Sequence, residues 1–234
     1  MANIIVTGAS NGIGFETALA LAELGHNVFA IARSRVGLTK LESAFAANIP
    51  TQNIHTLSFD IIHGNYHETL LPWIKENVGQ IDALVNNAGA LLNKPFMETS
   101  AADFLALTQS NLVGHAQIIQ HLFPYLAPHS HIVNIGSMGG FQGSVKFPGL
   151  AAYSASKAAL HALTECLAFE FTEANIKVNC LALGSAQTEM LEKAFPGYKS
   201  PISASDMGNY IAHFALTGHQ FFNGKILPVA VTTP

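Results

Sequence analysis

The segment Thr7–Gly14, TGASNGIG, joins a short apolar run to a helical pattern that extends to Leu24 and closes at Gly25. Its three glycines, spaced GxxxGxG, permit a tight turn and a close approach of the backbone to an anion. The free N–H groups at the start of the following helix would face that anion. The segment therefore predicts a strand, turn and helix that bind a pyrophosphate, with a plain strand-to-helix turn as the alternative.

Working outward, short β-branched runs alternate with longer helical patterns along the whole chain. Repetition of strand, helix and strand implies right-handed crossovers and a parallel sheet covered by helices on both faces. We expect an α/β fold of the Rossmann type, a doubly wound parallel sheet of about seven strands, in a single domain over residues 1–234. Ligands of such sheets bind at the carboxyl ends of the strands. The predicted strands lie near residues 3–6, 27–31, 53–58, 81–86, 131–136, 176–181 and 225–229.

The composition indicates a soluble protein of the cytoplasm. Of the 234 residues, 49% are hydrophobic and 11% are charged, as expected for parallel strands buried on both faces. There is no uncharged apolar run long enough to cross a membrane, and the strand-like run begins at Asn3, which leaves no room for a signal peptide. The formal net charge is −4, so nucleic acid is not an expected partner.

Histidines and cysteines do not predict a metal site. The closest histidine pairs among the 11 are His63 with His67 and His129 with His131, and neither has the spacing of a helical zinc motif. The two cysteines, Cys166 and Cys180, are interpreted as reduced thiols of the core.

The end of the second predicted strand indicates which dinucleotide is bound. An Asp or Glu usually holds the adenosine ribose of NAD at this point, but here the chain reads Ala32-Arg33-Ser34-Arg35. A guanidinium suits a 2′-phosphate, and no carboxylate is present to repel one. The segment therefore favours NADP(H) with Arg33 as its ligand, while Arg35 is equally consistent with a solvated loop.

The pentapeptide YSASK places Tyr153 and Lys157 four residues apart in a predicted helix, so both side chains lie on one face. A nearby ammonium favours the phenolate and is expected to lower the pKa of Tyr153. Taken alone, the pair is better explained by a packed tyrosine and a snorkelling lysine.

Six motifs in order show that the chain resembles the compact, single-domain short-chain dehydrogenase/reductase family. They are TGASNGIG (7–14), Asp60 after the third strand, NNAG (86–89), Asn111 in SNLVG, Ser137 in IVNIGS, and YSASK (153–157). The resemblance covers nearly the whole chain. It implies that Asn86, Ala88 and Gly89 end the fourth strand beside the cofactor, and that Asp60 and Ile61 flank the adenine.

The resemblance also implies a catalytic tetrad of Ser137, Tyr153, Lys157 and Asn111. Tyr153 would act as general acid and base, Lys157 would tune it and hold the nicotinamide ribose, Ser137 would bind the substrate oxygen, and Asn111 would hold a water beside Lys157. The implied cofactor-binding residues are Gly8, Ser10, Asn11, Gly12, Ile13, Gly14, Arg33, Asp60, Ile61, Asn87, Ala88, Gly89, Tyr153, Lys157, Gly184 and Thr188.

Three departures from the family pattern affect the loops and the C-terminus. Leu183 replaces a common proline after the sixth strand, and the chain lacks the frequent Asp-Gly-Gly tail. The segment between Ser137 and Tyr153 is long, and a modest substrate lid is expected over Glu189–Ser203. The residues of the long segment considered for the substrate cleft are Met138, Gly139, Phe141, Lys146 and Phe147.

The sequence thus predicts an oxidoreductase that transfers a hydride between NADP(H) and a carbonyl or secondary alcohol. The alternative is a non-catalytic NADP(H) sensor or scaffold of the same fold. Nucleotide-sugar dehydratase or epimerase chemistry is disfavoured, because its larger substrate domain has no counterpart here. We expect a homodimer or homotetramer that associates through predicted helices 101–123 and 153–171, and a small-molecule substrate as the other partner.

Overall fold

The computed structural model describes residues 1–48 and 54–231. Within them lies a seven-stranded parallel sheet of order β3-β2-β1-β4-β5-β6-β7, which confirms the predicted doubly wound fold. The strands are β1 (Asn3–Thr7), β2 (Asn27–Ala32), β3 (Ile54–Ser58), β4 (Ile81–Asn86), β5 (Leu126–Ser137), β6 (Lys177–Leu183) and β7 (Ile226–Val229). The predicted start of the third strand at residue 53 and the last residues, 232–234, lie outside the described ranges.

The helices alternate with these strands along the chain. They are α1 (Gly12–Glu23), α2 (Arg35–Asn48), α3 (Leu71–Asn77), α4 (Ala101–Thr108), α5 (Gly114–Leu122), α6 (Ala151–Glu170), α7 (Glu189–Ala194) and α8 (Ala204–Thr217). The order of strands reverses between β1 and β4, so a crevice is expected at the carboxyl ends of these two strands.

Two buried clusters cover the two faces of the sheet. Ile4 and Val6 of β1 belong to the cluster that includes residues of α1, α2 and α8. Ile5 points to the opposite face and belongs to the cluster with residues of α3 and α5. Alternation along a strand sends successive side chains to opposite faces, so the continuous apolar run of β1 supplies both cores.

The predicted helix over residues 101–123 is interrupted. A five-residue π-helical turn, Gln109–Val113, separates α4 from α5, and Asn111 lies inside it. Wider turns of this kind leave the ordinary hydrogen-bond ladder and are frequent at functional sites. The sequence pattern predicted the helix but not this change of winding.

The two cysteines differ in their surroundings. Cys180 of β6 is buried as predicted, but Cys166 is exposed, because it lies on the outward face of α6. The interpretation of Cys166 as a core thiol was therefore wrong. Within residues 1–48 and 54–231, no helix combines the length and apolar character required to cross a bilayer.

Candidate active site

A cleft of about 710 Å³ opens at the carboxyl ends of the strands, where the strand order reverses. It brings together residues that lie far apart in the sequence. The predicted site residues that line it are Gly8, Ser10, Asn11, Gly12, Ile13, Arg33, Asp60, Ile61, Asn87, Ala88, Gly89, Ser137, Tyr153, Lys157, Gly184 and Thr188. Gly14 and Asn111 are not part of its wall.

The glycine-rich turn explains why Gly14 lies behind the wall. A side chain at Gly14 would overlap Asn87 Nδ2 and come within 2.5 Å of the carbonyl oxygen of Gly8. Gly8 and Gly12 have positive φ angles of 69° and 56°, which glycine adopts without steric cost. Gly14 therefore permits the strand, turn and helix to pack together, and its part in cofactor binding stays a prediction.

The start of α1 offers a site for an anion. Its N-cap residue, Asn11, has an extended backbone, and its side chain makes no capping hydrogen bond. The first N–H groups of an α-helix lack partners within the helix and favour negative charge. Ser10, Asn11, Gly12 and Ile13 line the cleft, so the chain fits a bound pyrophosphate at this point.

The two arginines after β2 have different partners. Arg35 Nη1 donates to Thr56 Oγ1 at 2.9 Å, and Arg35 Nη2 lies 3.2 Å from Glu42 Oε1. Arg33 instead lines the cleft beside Ala32. The sequence left the role of Arg35 open, and in the structure its guanidinium binds Thr56 and Glu42.

The adenine side of the predicted site is built from backbone turns. Asp60 Oδ1 accepts a hydrogen bond of 2.8 Å from the N–H of Ile62, which fixes the turn after β3. The hydroxyl of Tyr66 donates to the carbonyl of Ile61 at 2.6 Å. Burial raises the pKa of Tyr66, so this donor remains protonated. Ile61 is therefore held in place at the edge of the cleft.

The NNAG motif has mainly an internal structural task at its first two positions. Asn86 is fully buried, its amide donates to Asn134 Oδ1 at 3.2 Å, and it does not line the cleft. Asn87 lines the cleft, yet its side chain donates to the carbonyls of Thr7 and Gly8 at 3.1 and 3.3 Å. The two asparagines thus connect β4 to its neighbours β5 and β1.

Ser137 and Tyr153 meet at the catalytic end of the cleft. Ser137 is the last residue of β5 and Tyr153 lies in the first turn of α6, and the Ser137 side chain is close enough to the phenol to affect its pKa. Burial raises the pKa of Tyr153, and the neighbouring Ser137 side chain acts in the opposite direction. The predicted lowering of this pKa by Lys157 was wrong, because desolvation of the phenolate is the larger effect.

Lys157 is buried with 4% exposure beneath this pair. Its Nζ donates to the carbonyl of Ile135 at 2.7 Å, and desolvation lowers its pKa from 10.5 to about 8. Two buried imidazoles feel its charge: the pKa of His115 is lowered to about 3 and that of His161 to about 4, mainly by burial. Both rings are therefore neutral near pH 7 and add no positive charge that would repel the ammonium.

Asn111 lies behind the cleft wall and braces it. Its Nδ2 donates to the carbonyl of Ala90 at 2.9 Å and to Ser156 Oγ at 3.0 Å, while its Oδ1 accepts from the N–H of Ala90 at 2.8 Å. A side chain at Gly89 would come within 2.8 Å of Asn111 Oδ1 and 3.6 Å of Lys157 Nζ. Asn111 is thus close to Lys157 across Gly89, with both of its amide hydrogens already used.

Sequence reasoning missed His115 and Ser156 as parts of this assembly. His115 Nε2 is hydrogen-bonded to the carbonyl of Ala88, and Ser156 Oγ donates to the carbonyl of Tyr153 at 2.7 Å while accepting from Asn111. Ser156 stands inside YSASK, so its position was a signal. His115 gave none, because one histidine in a helical pattern does not reveal its partner.

The departures from the family pattern have structural outcomes. Leu183 extends β6 and pairs with Ser137 and Val229, and a side chain at Gly184 would approach Ala230 Cβ within 2.7 Å. The lid begins with α7, and its Met190 and Leu191 line the cleft. None of the five residues considered for the substrate cleft lines it: Met138 and Gly139 are buried, Phe141 is half-buried, and Lys146 and Phe147 are exposed.

The comparisons with known proteins agree with this geometry. A family model described as short chain dehydrogenase matches residues 2–199. An NADPH-dependent pterin aldehyde reductase of Arabidopsis thaliana is 34% identical over 206 residues, which cover 87% of this chain and 82% of the relative. Carbonyl reductase family member 4 of Xenopus laevis is 35% identical over 187 residues, with 79% and 75% covered.

A solved structure extends the agreement to three dimensions. The crystal structure of a putative short chain dehydrogenase of Shigella flexneri, complexed with NADP, superposes with a TM-score of 0.85 at 26% identity. The superposition covers 97% of this chain and 96% of that one. The doubly wound sheet and its cleft define a Rossmann-type oxidoreductase. Within that class, the chain belongs to the short-chain dehydrogenase family.

Proposed function

We propose that the protein reduces a carbonyl compound to an alcohol with NADPH, and that it also catalyses the reverse reaction. One arrangement carries this proposal: Ser137 and Tyr153 both line the cleft, with the Ser137 side chain close enough to the phenol to affect its pKa, and the buried Lys157 lines the same cleft. A proton donor, a second hydroxyl and an ammonium converge there, although Ser137 and Lys157 are 20 positions apart in the sequence.

The cofactor is proposed as NADP(H) on three grounds. The start of α1 fits a pyrophosphate, Ala32 leaves no carboxylate at the end of β2, and Arg33 lines the cleft where a 2′-phosphate would lie. The Arabidopsis relative is named as NADPH-dependent, and the Shigella structure is named as a complex with NADP. The residues proposed to hold it are those that line the cleft from Gly8 to Thr188.

NADPH, when bound, supplies a hydride to the carbonyl carbon. Tyr153 would then donate the proton of its hydroxyl to the oxygen as negative charge develops there, and its raised pKa keeps that proton in place near pH 7. Ser137 would bind the same oxygen and orient it. Lys157 would add positive charge below Tyr153, where low polarity strengthens electrostatic effects.

Asn111 has a positioning task in this proposal. Its side chain joins Ala90 to Ser156 and so connects the loop after β4 to the helix that carries Tyr153 and Lys157. The sequence predicted that Asn111 holds a water beside Lys157. Its Oδ1 retains one lone pair and lies close to Lys157 across Gly89, so that prediction stays open to test.

The assembly is proposed as a homodimer or homotetramer of single-domain subunits. The outward face of α6 is a stripe of small and apolar residues at helical spacing, comprising Ala155, Ala158, Ala162, Cys166 and Phe169. Leu105 of α4 is 64% exposed and Phe169 is 85% exposed. Apolar stripes on neighbouring helices are self-complementary across a two-fold axis, which supports the predicted contact through these helices.

The proposed activity is tested by measuring the oxidation of NADPH in the presence of a panel of aldehydes and ketones. We expect turnover of at least one carbonyl compound and none by the Tyr153→Phe variant. Tight NADPH binding without turnover of any compound by the wild type would instead indicate the non-catalytic sensor. The panel includes pterin aldehydes and small ketones, because the named relatives include reductases of a pterin aldehyde and of carbonyl compounds.

A further inference from the structure

Asn93 connects three segments at the catalytic end of the cleft. Its Nδ2 donates to the carbonyl of Ala194, the last residue of α7, at 2.8 Å. Its Oδ1 lies against the Cα of Gly149, so closely that a side chain at Gly149 would overlap it. Gly149 precedes Tyr153 by four residues, and Leu91, two residues before Asn93, lines the cleft.

Asn93 is itself held firmly by the body of the protein. The N–H of the next residue, Lys94, donates to the carbonyl of Gly149 at 2.9 Å. Lys94 Nζ lies 2.9 Å from Asp103 Oδ2, and Asp103 forms the capping box of α4 with Ser100. The segment around Asn93 is therefore anchored both to α4 and to the loop before α6.

The lid is tied down at its base by a second set of contacts. Ser185 Oγ is hydrogen-bonded to Tyr198 Oη and to Ser200 Oγ, both at 3.1 Å, and Gln187 Oε1 accepts from the N–H of Ser200 at 2.9 Å. These bonds join the two ends of the lid to each other. The bond from Asn93 instead reaches the C-terminal end of α7 from the opposite wall of the cleft.

The charged side chains of the cleft limit the kind of substrate that can bind beneath the lid. Among the described residues that line the cleft, the charged ones are Arg33, Asp60, Lys157 and Glu189. Lys157 is bound to the carbonyl of Ile135, and Glu189 would repel a carboxylate. Met190, Leu191 and Leu91 add apolar surface. These walls suit an uncharged compound.

We propose that Asn93 is a specificity-determining residue that latches α7 at the wall of the cleft, so that the closed site accepts compact, uncharged carbonyl compounds. The proposal deepens the proposed reductase activity and rests on it for its substrate class. Asn93 acts by positioning, since it holds the lid and does not line the cleft.

The position of the lid is tested first, without reference to activity. Asn93→Leu keeps the side-chain shape but removes the donor to Ala194. Asn77→Leu is the matched control, because Asn77 Nδ2 also donates to a backbone carbonyl, that of Trp73 at 2.9 Å, on the outer surface of α3. We expect faster hydrogen exchange over residues 189–195 and faster trypsin cleavage after Lys193 and Lys199 in the first variant alone.

The size of the substrate is tested second, with matched compact and bulky uncharged carbonyl compounds and with a carboxylate analogue of the compact one. In the wild type we expect the compact neutral compound to be preferred. In Asn93→Leu, its KM should rise by about three- to tenfold, the range given by the net contribution of one hydrogen bond, with a smaller change in kcat. For the bulky compound, kcat/KM should fall less than for the compact one, or it should rise. Asn93→Ser, a shorter donor, should recover part of the discrimination.

The outcomes separate the latch from the proposed activity. Unchanged exchange and cleavage of the lid in Asn93→Leu overturns the latch, whatever the kinetics. Faster exchange with the same ratio of kcat/KM for compact and bulky compounds, or a wild-type preference for the carboxylate, overturns its role in specificity. If the wild type turns over no carbonyl compound, the proposed activity is refuted, and so is the proposed substrate class. The exchange measurement still tests the latch in that case.

Discussion

The ammonium of Lys157 is bound to the carbonyl oxygen of Ile135, two residues before Ser137 on the same strand. This bond fixes the amine below Ser137 and Tyr153, where it is almost completely removed from water. A buried cation destabilises the folded protein unless an anion accompanies it. The site thus holds a charge for its proposed chemistry at a cost in stability.

Lys157→Met should remove that cost together with the activity. The folded-state pKa of about 8 lies below the ordinary value of 10.5, so the cost is fully present below pH 8 and vanishes as pH rises to about 10.5. The free energy of unfolding of the variant relative to the wild type should therefore decrease by about 2 kcal/mol between about pH 7 and about pH 10. Urea unfolding of both proteins at the two pH values measures this, and a constant difference would contradict it.

The same variant should also lose NADPH affinity. Lys157 is proposed to contact the nicotinamide ribose as well as to act on Tyr153, so both the Kd for NADPH and the turnover should worsen. Fluorescence titration gives the Kd. An unchanged Kd would restrict Lys157 to its effect on Tyr153.

Tyr153→Phe should abolish turnover while preserving the fold and the Kd for NADPH, because the ring volume is retained. General acid catalysis contributes about a hundred- to ten-thousand-fold, so kcat should fall at least by that order. Tyr210→Phe on the exposed surface of α8 is the control and should leave kcat unchanged. A Tyr153→Phe rate of roughly a third of the wild type would mean that another group supplies the proton, and the tetrad assignment would be withdrawn.

Alcohol oxidation should become faster with rising pH. In this direction Tyr153 must accept a proton, and its raised pKa makes the phenolate scarce near neutral pH. Reduction needs the protonated phenol and should show no such rise over the same range. Profiles of kcat against pH in both directions test this contrast, which a flat profile for oxidation would refute.

Cofactor preference should depend on Arg33 and not on Arg35. Arg33→Ala should raise the Kd for NADPH far more than the Kd for NADH, since a charged hydrogen bond to phosphate is lost. Arg35→Ala is the matched control, because Arg35 is bound to Thr56 and Glu42 and should not change the preference. Ala32→Asp should raise the Kd for NADPH, because the carboxylate repels the 2′-phosphate, and should lower the Kd for NADH. Equal affinities of the wild type for both cofactors would defeat this explanation.

The outward stripe of α6 should carry subunit association. Ala162→Glu places a charge in the middle of the stripe and should shift the protein toward the monomer. Ala46→Glu, at an exposed position of α2, is the matched control. Light scattering at micromolar concentration measures the mass, and a monomeric wild type would reject the proposed contact.

Local sequence patterns predicted the elements of the fold because their periods are set by the immediate neighbours of each residue. The turn at Thr7–Gly14 and most strand positions follow from apolar runs and glycines alone, but β5, predicted over residues 131–136, begins already at Leu126. The motif order also predicted that Ser137, Tyr153 and Lys157 would share one site, and the cleft brings them together. The winding of residues 109–113 could not be predicted, since a π-helical turn depends on packing around Asn111.

The sequence by itself determined the class of fold, the family and the chemical groups available at the carboxyl edge of the sheet, because these depend on periodicity and on residue identity. Tertiary structure decided the surroundings of each group. Burial reversed the expected direction of the Tyr153 pKa, contacts with Glu42 and Thr56 withdrew Arg35 from the cleft, and close packing placed Gly14 behind it. Desolvation, hydrogen-bond partners and steric fit arise only when distant segments meet, so no local pattern contains them.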